Sequence, residues 1–457
     1  MASRRSLLAI VACVLLVAAC TTTGTAVDPM TSPDVFASTP TIGELPATTA
    51  GPVPTRTPEI ERTEILPVDP LTLQPRPGYD PIPMGDWMWG RPSPAGGYLA
   101  ALVESSRGTS EVRLVDLANW RVEGSWAQSP ESGLLVTDDG TVYLAGSGQF
   151  QRLRLGDSIP EEVARLPSGF QPQTISPIFD GAFAIFGTRF QAEESASIVA
   201  IDVTTGAMDE IDLPETRVGP RNPDSLEPGD PYISPFPVWD TARNRALVLH
   251  GDEDVVTEVE LSRGTVTRHQ LDFGDLAADP ARRFQTSGSI SPDGSILYIS
   301  GQKVTTVAEG VGSPITSESA GVIAVDTANW QVRSQTVEPI GHVMVSPRGD
   351  RILGWGVSMV EGDIDGEPES TGLFVLDAPS LTVLSRHHPN ERQRWYMQFS
   401  FSDGGDIGYA TSYQSQAGIE AIDLASGEIV ASLEGGDNLN MFGSIGVLHA
   451  DAGAFTP

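Results

Sequence analysis

Apolar and polar residues alternate in short runs along this chain. Between Ser289 and Val337 the runs form a unit that most of the sequence copies. Ser291-Pro292-Asp293-Gly294 opens it as a turn. Pro presets φ, Asp hydrogen-bonds its own backbone, and Gly accepts positive φ. Ile296–Ser300 is short and β-branched or aromatic and reads as a buried strand. A loop over Thr305–Ala320 follows, then a second such run, Gly321–Asp326. Thr327-Ala328-Asn329-Trp330 turns the chain, and Gln331–Val337 alternates as a third strand. Gln285–Ile290, ahead of the first turn, supplies a fourth.

The copies are imperfect but regular. Val112–Asp116, Ile198–Asp202, Val322–Asp326, Phe374–Asp377 and Ile419–Asp423 are apolar strands that end on Asp, and Val256–Glu260 is a degraded version. Phe150–Leu155 stands where a further copy is due. The turns Leu117-Ala118-Asn119-Trp120 and Thr327-Ala328-Asn329-Trp330 are nearly identical, and Val203–Gly206 and Leu424–Gly427 fill the same slot with Gly. Upstream turns recur at Ser93, Asp138, Ser176, Ser234, Ser291, Ser346 and Ser402. Seven repeats therefore lie between Asp86 and Gly435, spaced by roughly 40 to 65 residues. With 47 Gly and 36 Pro, and no sustained 3.6-residue apolar stripe past the leader, helix content should be minimal.

These repeats predict an all-β, seven-bladed β-propeller over 85–457, each blade a four-stranded antiparallel sheet. They resemble the bacterial YVTN/WD40-like propeller families, whose marks are SPDG-type turns and V-x-V-I-D-type strands. That resemblance speaks to fold and hardly to function. Eight blades is the alternative, with Met441–His449 and the Ile65–Leu73 segment together building the closing blade.

The N-terminus carries its own signal. Arg4 and Arg5 precede the apolar run Leu7–Ala19. That run is too short for a bilayer core, which needs about 20 residues, and suits the core of a signal peptide. It ends Val17-Ala18-Ala19-Cys20. Here the chain resembles bacterial lipoprotein precursors, whose lipobox places small residues before a modified Cys. The resemblance implies that 1–19 is a removable signal peptide and that Cys20 is acylated, palmitate among its acyl groups, which fixes the protein to the extracytoplasmic face of the cell membrane. The two Cys are Cys13 and Cys20. With the first removed and the second lipidated, no thiol is left for a disulfide or a metal. The Pro- and Thr-rich stretch 20–84 reads as a tether reaching roughly 40 Å as a coil. One part of it, Glu64–Leu73, resembles the strand and turn Leu373–Val383 and is expected to dock as an outer strand.

Charge narrows the partners. The chain carries 28 Lys+Arg against 60 Asp+Glu, net −32, and Lys303 is its one Lys. Such a surface repels nucleic acid and anionic lipid. Against this background, basic residues collect in long connections: Arg217, Arg221, Arg282, Arg283, His387, His388, Arg392 and Arg394, beside Trp239, Phe284 and Trp395. The long segments fall between second and third strands or between blades: Glu210–Tyr232, Leu271–Gln285, Thr305–Ala320, Met359–Gly372 and His387–Trp395. In a propeller both kinds emerge at one end of the ring. Arg282, Arg283, Arg392, Arg394 and Trp395 are thus candidate ligand-binding residues, by Arg forks and aromatic stacking. Charge balance with neighbouring Asp and Glu is the plainer reading of the same residues.

Catalytic signals are weak. Asp363 and Asp365 with Gly366 suit a hard cation, yet the position where a calcium loop needs Glu is Phe374, so an acidic hairpin tip explains them as well. The six His, of which His342 starts a predicted inner strand and is placed to line the channel, have no metal-ligand spacing. No G-x-S-x-G elbow or P-loop occurs, and no cofactor is implied. The expectation is a non-enzymatic binding or scaffold protein for an envelope protein or glycan. The alternative is a lactonase-like propeller hydrolase with its site at the channel mouth.

Overall fold

The computed structural model describes residues 35–40, 63–85, 87–94, 96–104, 110–127, 133–146, 148–178, 182–189, 195–220, 232–233, 235–251, 253–273, 282–306, 315–358, 369–389, 395–402, 404–413 and 418–434. Seven four-stranded antiparallel sheets follow one another in chain order and close as a β-propeller of seven blades. Blade 1 spans 87–127, blade 2 133–165, blade 3 170–217, blade 4 236–270, blade 5 282–336, blade 6 342–387 and blade 7 395–434. First strands of neighbouring blades lie side by side around the axis. Among the described residues the one helical turn is the 3-10 segment Thr241–Arg243.

Burial follows position in the blade. The first strand of blade 2, Gly133–Val136, is buried throughout, because sheets cover both its faces. The outermost strand of blade 5, Gln331–Thr336, alternates between half-buried and exposed residues. Blades pack face to face through apolar layers, such as Phe236, Val238 and Leu249 of blade 4 against Ile290, Leu297 and Ile299 of blade 5.

The turns work as the residue types require. Ser291 Oγ donates to Asp293 Oδ1 at 2.6 Å, Asp293 Oδ1 accepts the Ser295 N–H at 3.0 Å, and Gly294 sits at φ +70. In the turn before the last strand the same left-handed position is held by Trp120 (φ 51), Trp330 (φ 60) and Leu381 (φ 56), and by Gly206 and Gly427. Each such turn leans on the preceding blade. Trp330 stacks on His269 at 3.8 Å, and the Gly427 carbonyl accepts from Ser385 Oγ at 2.5 Å.

A further sheet fills the seam between blades 7 and 1. It has three strands, β1 (Val35–Pro40), β2 (Thr63–Val68) and β3 (Ile82–Gly85), in the order β1-β2-β3. Val68 and Leu73 pack on Tyr409, Ile419 and Ala421 of blade 7. Ile65, Ile82 and Met84 pack on Leu99, Ala101, Val115 and Leu117 of blade 1. The folded part therefore begins well before residue 85, and the tether expected over 20–84 contains these strands. The turn after β2 repeats the one after the third strand of blade 6. Leu73 has φ 54 and donates its N–H to the Asp69 carbonyl at 2.8 Å, as Leu381 (φ 56) does to Asp377. The likeness read from Glu64–Leu73 is thus real in the backbone. The segment stands in a wedge of its own, however, and is not an outer strand of a blade.

Candidate functional site

Alternation of strand direction puts every second-to-third-strand connection and every blade-to-blade connection at one end of the ring. The tight turns occupy the other end. At the loop-bearing end blade 5 rises furthest. Ile296–Thr306 and Ile315–Asp326 stay paired from Gly301↔Gly321 out to Thr306↔Ile315. Much of the loop expected over Thr305–Ala320 is therefore ribbon. Its Ser, Thr and Glu residues hid a strand that has no apolar face to bury. The innermost strand joins the rise. It starts at Arg282 and not at the expected Gln285, so Arg282 and Arg283 lie on a strand and not in a loop. The register sets Arg282 opposite Lys303 and Arg283 opposite Gln302, with Glu318 on the far side of Lys303.

His342 opens the innermost strand of blade 6, as expected. It stands opposite Trp355, and the two rings stack with centroids 4.9 Å apart and planes at 12°. Its side chain is half-buried by its own surface, but protein surrounds it. Burial disfavours the imidazolium and pushes its pKa down to about 4. The imidazole is therefore neutral at neutral pH.

The connection from blade 6 to blade 7 holds a buried polar cluster. Glu420, on the third strand of blade 7, is only 2% exposed. Its Oε2 accepts from Tyr396 Oη at 2.8 Å, and its Oε1 lies 2.9 Å from His388 Nε2. A carboxylate this deep needs such partners, because burial without them costs several kcal/mol. His388 is held at φ 51, a conformation that non-glycine residues seldom adopt. The cluster anchors the start of the segment that carries Arg392 and Arg394. His387 turns elsewhere, its Nε2 2.6 Å from the Gly427 carbonyl, and so serves the seam between blades 6 and 7. Trp239 is likewise structural, buried among Ala184, Phe186 and Ala246.

Arg221, Asp363, Asp365, Arg392, Arg394 and Cys20 lie outside the described residues, as do the side chains of Arg282, Arg283, Phe284, Lys303, Glu318 and Trp395. Among the described residues no three His, Cys, Asp or Glu side chains gather as metal ligands. Sequence reasoning missed Glu420 and Tyr396. The available signal was a single charge at the centre of the apolar strand Gly418–Asp423.

No protein-family model and no curated protein matches this chain. Solved structures do. Dihydro-heme d1 dehydrogenase NirN in complex with DHE aligns with a TM-score of 0.53 at 14% identity, covering 92% of this chain and 77% of that one. The Cps50 (Swd1) β-propeller domain from Myceliophteria thermophila aligns at 0.44 and 12% identity, over 74% of this chain and 96% of that one. Oligogalacturonate lyase from Vibrio parahaemolyticus aligns at 0.44 and 12%, over 83% and 95%. At these identities the first likeness shows a shared propeller fold and nothing about activity. The other two carry no argument.

Proposed function

We propose that this chain is a lipid-anchored β-propeller on the extracytoplasmic face of a bacterial cell membrane. It would bind an acidic glycan or an acidic envelope protein through its loop-bearing end. The leader Arg4 to Ala19 and the following Cys20 support the anchor. One observation carries the binding reading. On a chain of net charge −32, the backbone register sets Arg282 opposite Lys303 on the strands that stand highest at that end. Like charges directly opposed across a ladder destabilise it, and an anionic ligand removes that cost. Glu318, which the register sets opposite Lys303, lowers the net charge of that row without cancelling it.

Two experiments test this. Cys20→Ala should move the protein from the membrane to the soluble fraction of labelled cells, and continued membrane association would remove the anchor from the proposal. Arg282→Glu combined with Arg283→Glu should abolish capture of partners crosslinked in the intact envelope, while the melting temperature stays within a few degrees. The hydrolase reading has one observation in its favour. His342 is kept neutral near the channel mouth, the state a general base requires. His342→Asn should leave capture unchanged, and a hydrolytic activity lost in that variant would establish the enzyme instead.

A further inference from the structure

We propose that the tight-turn end of the ring rests on the lipid surface through the wedge and the blades that flank it. This deepens the anchored reading above and rests on it for the identity of the partner. Among the described residues seven large apolar side chains are exposed. Six of them are Leu71, Val122, Leu155, Ile159, Leu384 and Val430. These stand in the tight turns or at the second residue of the strands that leave them. They fall on blades 6 and 7, the wedge, and blades 1 and 2, which are consecutive around the ring. Blades 3, 4 and 5 add none at that end among the described residues. The seventh, Val337, follows the last strand of blade 5 at the loop-bearing end. Single exposed apolar residues need no partner, but their confinement to one arc of one end points to a surface that is covered.

Equivalent positions differ between this arc and the rest of the ring. The last strands of blades 5, 6 and 7 carry the same bulge. It holds Arg333 in blade 5, but Leu384 and Val430 in blades 6 and 7. In blade 1 the bulged residue is Glu123, and the exposed Val122 precedes it. Two residues past the acidic one, at the tip of the turn, the wedge has Leu71, 50% exposed. Blades 3 and 4, across the ring, have Thr204 and Ser262 there. The turn before the last strand of blade 2 is the longest of its kind, spanning 154–160, where the others have four or five residues. It carries Leu155 and Ile159, the latter 73% exposed. Asp157 Oδ2 accepts the Arg154 N–H at 2.9 Å, and the Asp157 carbonyl accepts from Trp126 of blade 1 at 2.7 Å. The turn is therefore held in place while its apolar side chains face outward.

The route of the chain names the partner. β1 enters at the tight-turn end with Val35 opposite Val68, and Val68 leads into the turn that carries Leu71. Cys20 lies fifteen residues before Val35, so an acyl group on it holds the wedge within about 50 Å of the bilayer. The exposed apolar side chains lie around this point of entry. Such shallow contacts are weak for a free protein, and a tether makes them persistent by raising the local concentration. The acidic turns do not forbid the contact, because their carboxylates fold back on their own chain. Asp69 Oδ1 accepts from the Leu71 and Thr72 N–H groups at 3.0 and 2.8 Å, and Asp423 Oδ1 from the Ser426 N–H at 2.7 Å. Arg121 and Arg154, both exposed, stand beside Val122 and Leu155 with stems long enough to lie among headgroups. A zwitterionic surface suits this mixture better than an anionic one, which a net charge of −32 repels.

A chain beginning at Thr21 keeps every described residue and has no cysteine. An N-terminal hexahistidine holds it on phosphatidylcholine vesicles that contain a nickel-chelating lipid. Leu71→Cys, Ile159→Cys, Ser262→Cys and Val337→Cys are each labelled with an environment-sensitive fluorophore. On the vesicles, emission from positions 71 and 159 should rise at least about twofold, and a lipid-borne quencher should remove the gain. Positions 262 and 337 should stay within about a fifth of their values in solution. Sedimentation with the vesicles checks that all four proteins are attached. No rise at 71 and 159 in attached protein overturns the proposal, and so does an equal rise at all four positions. Neither result depends on acylation in the cell: Cys20→Ala tests the anchor, and the vesicles test the surface.

Discussion

Six of the seven seams in this ring are closed in one way and the seventh in another. In the six, a turn of one blade rests on the strands of the blade before it. Trp126 Nε1 donates to the Asp157 carbonyl at 2.7 Å between blades 1 and 2, and Ser334 Oγ to the Pro379 carbonyl at 3.2 Å between blades 5 and 6. The seam of blades 4 and 5 adds a buried ionic lock. Arg245, 7% exposed, holds Asp240 Oδ2 and Glu258 Oε1, each at 2.7 Å, and donates to the Gly294 carbonyl of the next blade. Between blades 7 and 1 a wedge from the N-terminal part of the chain replaces this direct contact. Tyr409 Oη reaches the Pro70 carbonyl at 3.2 Å on one side, and Trp120 Nε1 reaches the Asp80 carbonyl at 2.7 Å on the other. Trp120 finds on the wedge what Trp330 finds on blade 4. The wedge thus presents to blade 1 the surface that a preceding blade would present. A ring whose repeats are local in sequence needs long-range closure at one place only, and here that place is marked by a contact between residues 339 apart.

This contrast is open to attack at each kind of seam. The largest effect is expected at the ionic lock. Arg245→Ala leaves the buried Asp240 carboxylate without its cation and should cost about 3–5 kcal/mol in denaturant unfolding. A loss below about 1 kcal/mol would reduce the lock to an ornament of the seam. At the wedge, Leu73 is fully buried against blade 7. Leu73→Ala should cost about 2–5 kcal/mol. It should also speed hydrogen exchange in β2 and β3 before any blade, and uniform acceleration around the ring would mean that the seventh seam is no weaker than the rest.

The smallest effect concerns the turn of blade 5 whose Gly294 carbonyl receives the lock's hydrogen bond. Hydrogen bonds from Ser291 and Ser295 hold the Asp293 carboxyl down from its ordinary 3.8 to about 2. A depressed carboxyl stabilises the fold above its unfolded pKa, and the contribution disappears as pH falls through the folded value. Stability should therefore decline between pH of about 4 and about 2, and Asp293→Asn should flatten that part of the acid limb. An unchanged slope in the variant would assign the decline to other carboxyls.

The blades were legible because each is written locally. Pro, Asp and Gly in Ser291–Gly294 dictate a turn whatever surrounds them, and Val322–Asp326 has nowhere to go but a core. The wedge was half legible. Asp69 and Leu73 copy Asp377 and Leu381, but nothing near them in sequence says which surface they will meet. The extended ribbon of blade 5 was not legible, since Ile315–Ala320 pairs through its backbone and shows no alternation. Nor was the Tyr396–Glu420–His388 cluster, whose members sit on three separate elements. Its one trace is a carboxylate among apolar neighbours, which sequence alone cannot partner. Trp120 and Trp330 mislead in another way, for the left-handed backbone they adopt is the one that Gly206 and Gly427 take without strain.

Pairing of β1 with β2 has a consequence for how the molecule stands. Val35 faces Val68 and Pro40 faces Thr63, so β1 enters at the end with the tight turns and climbs to the loop-bearing end. Between Cys20 and Val35 lie fifteen steps of chain, at most about 50 Å of leash. A ring moored by Cys20 would sit with its turns towards the lipid and its ribbon of Arg282 and Lys303 pointing outward, upright on a short stalk.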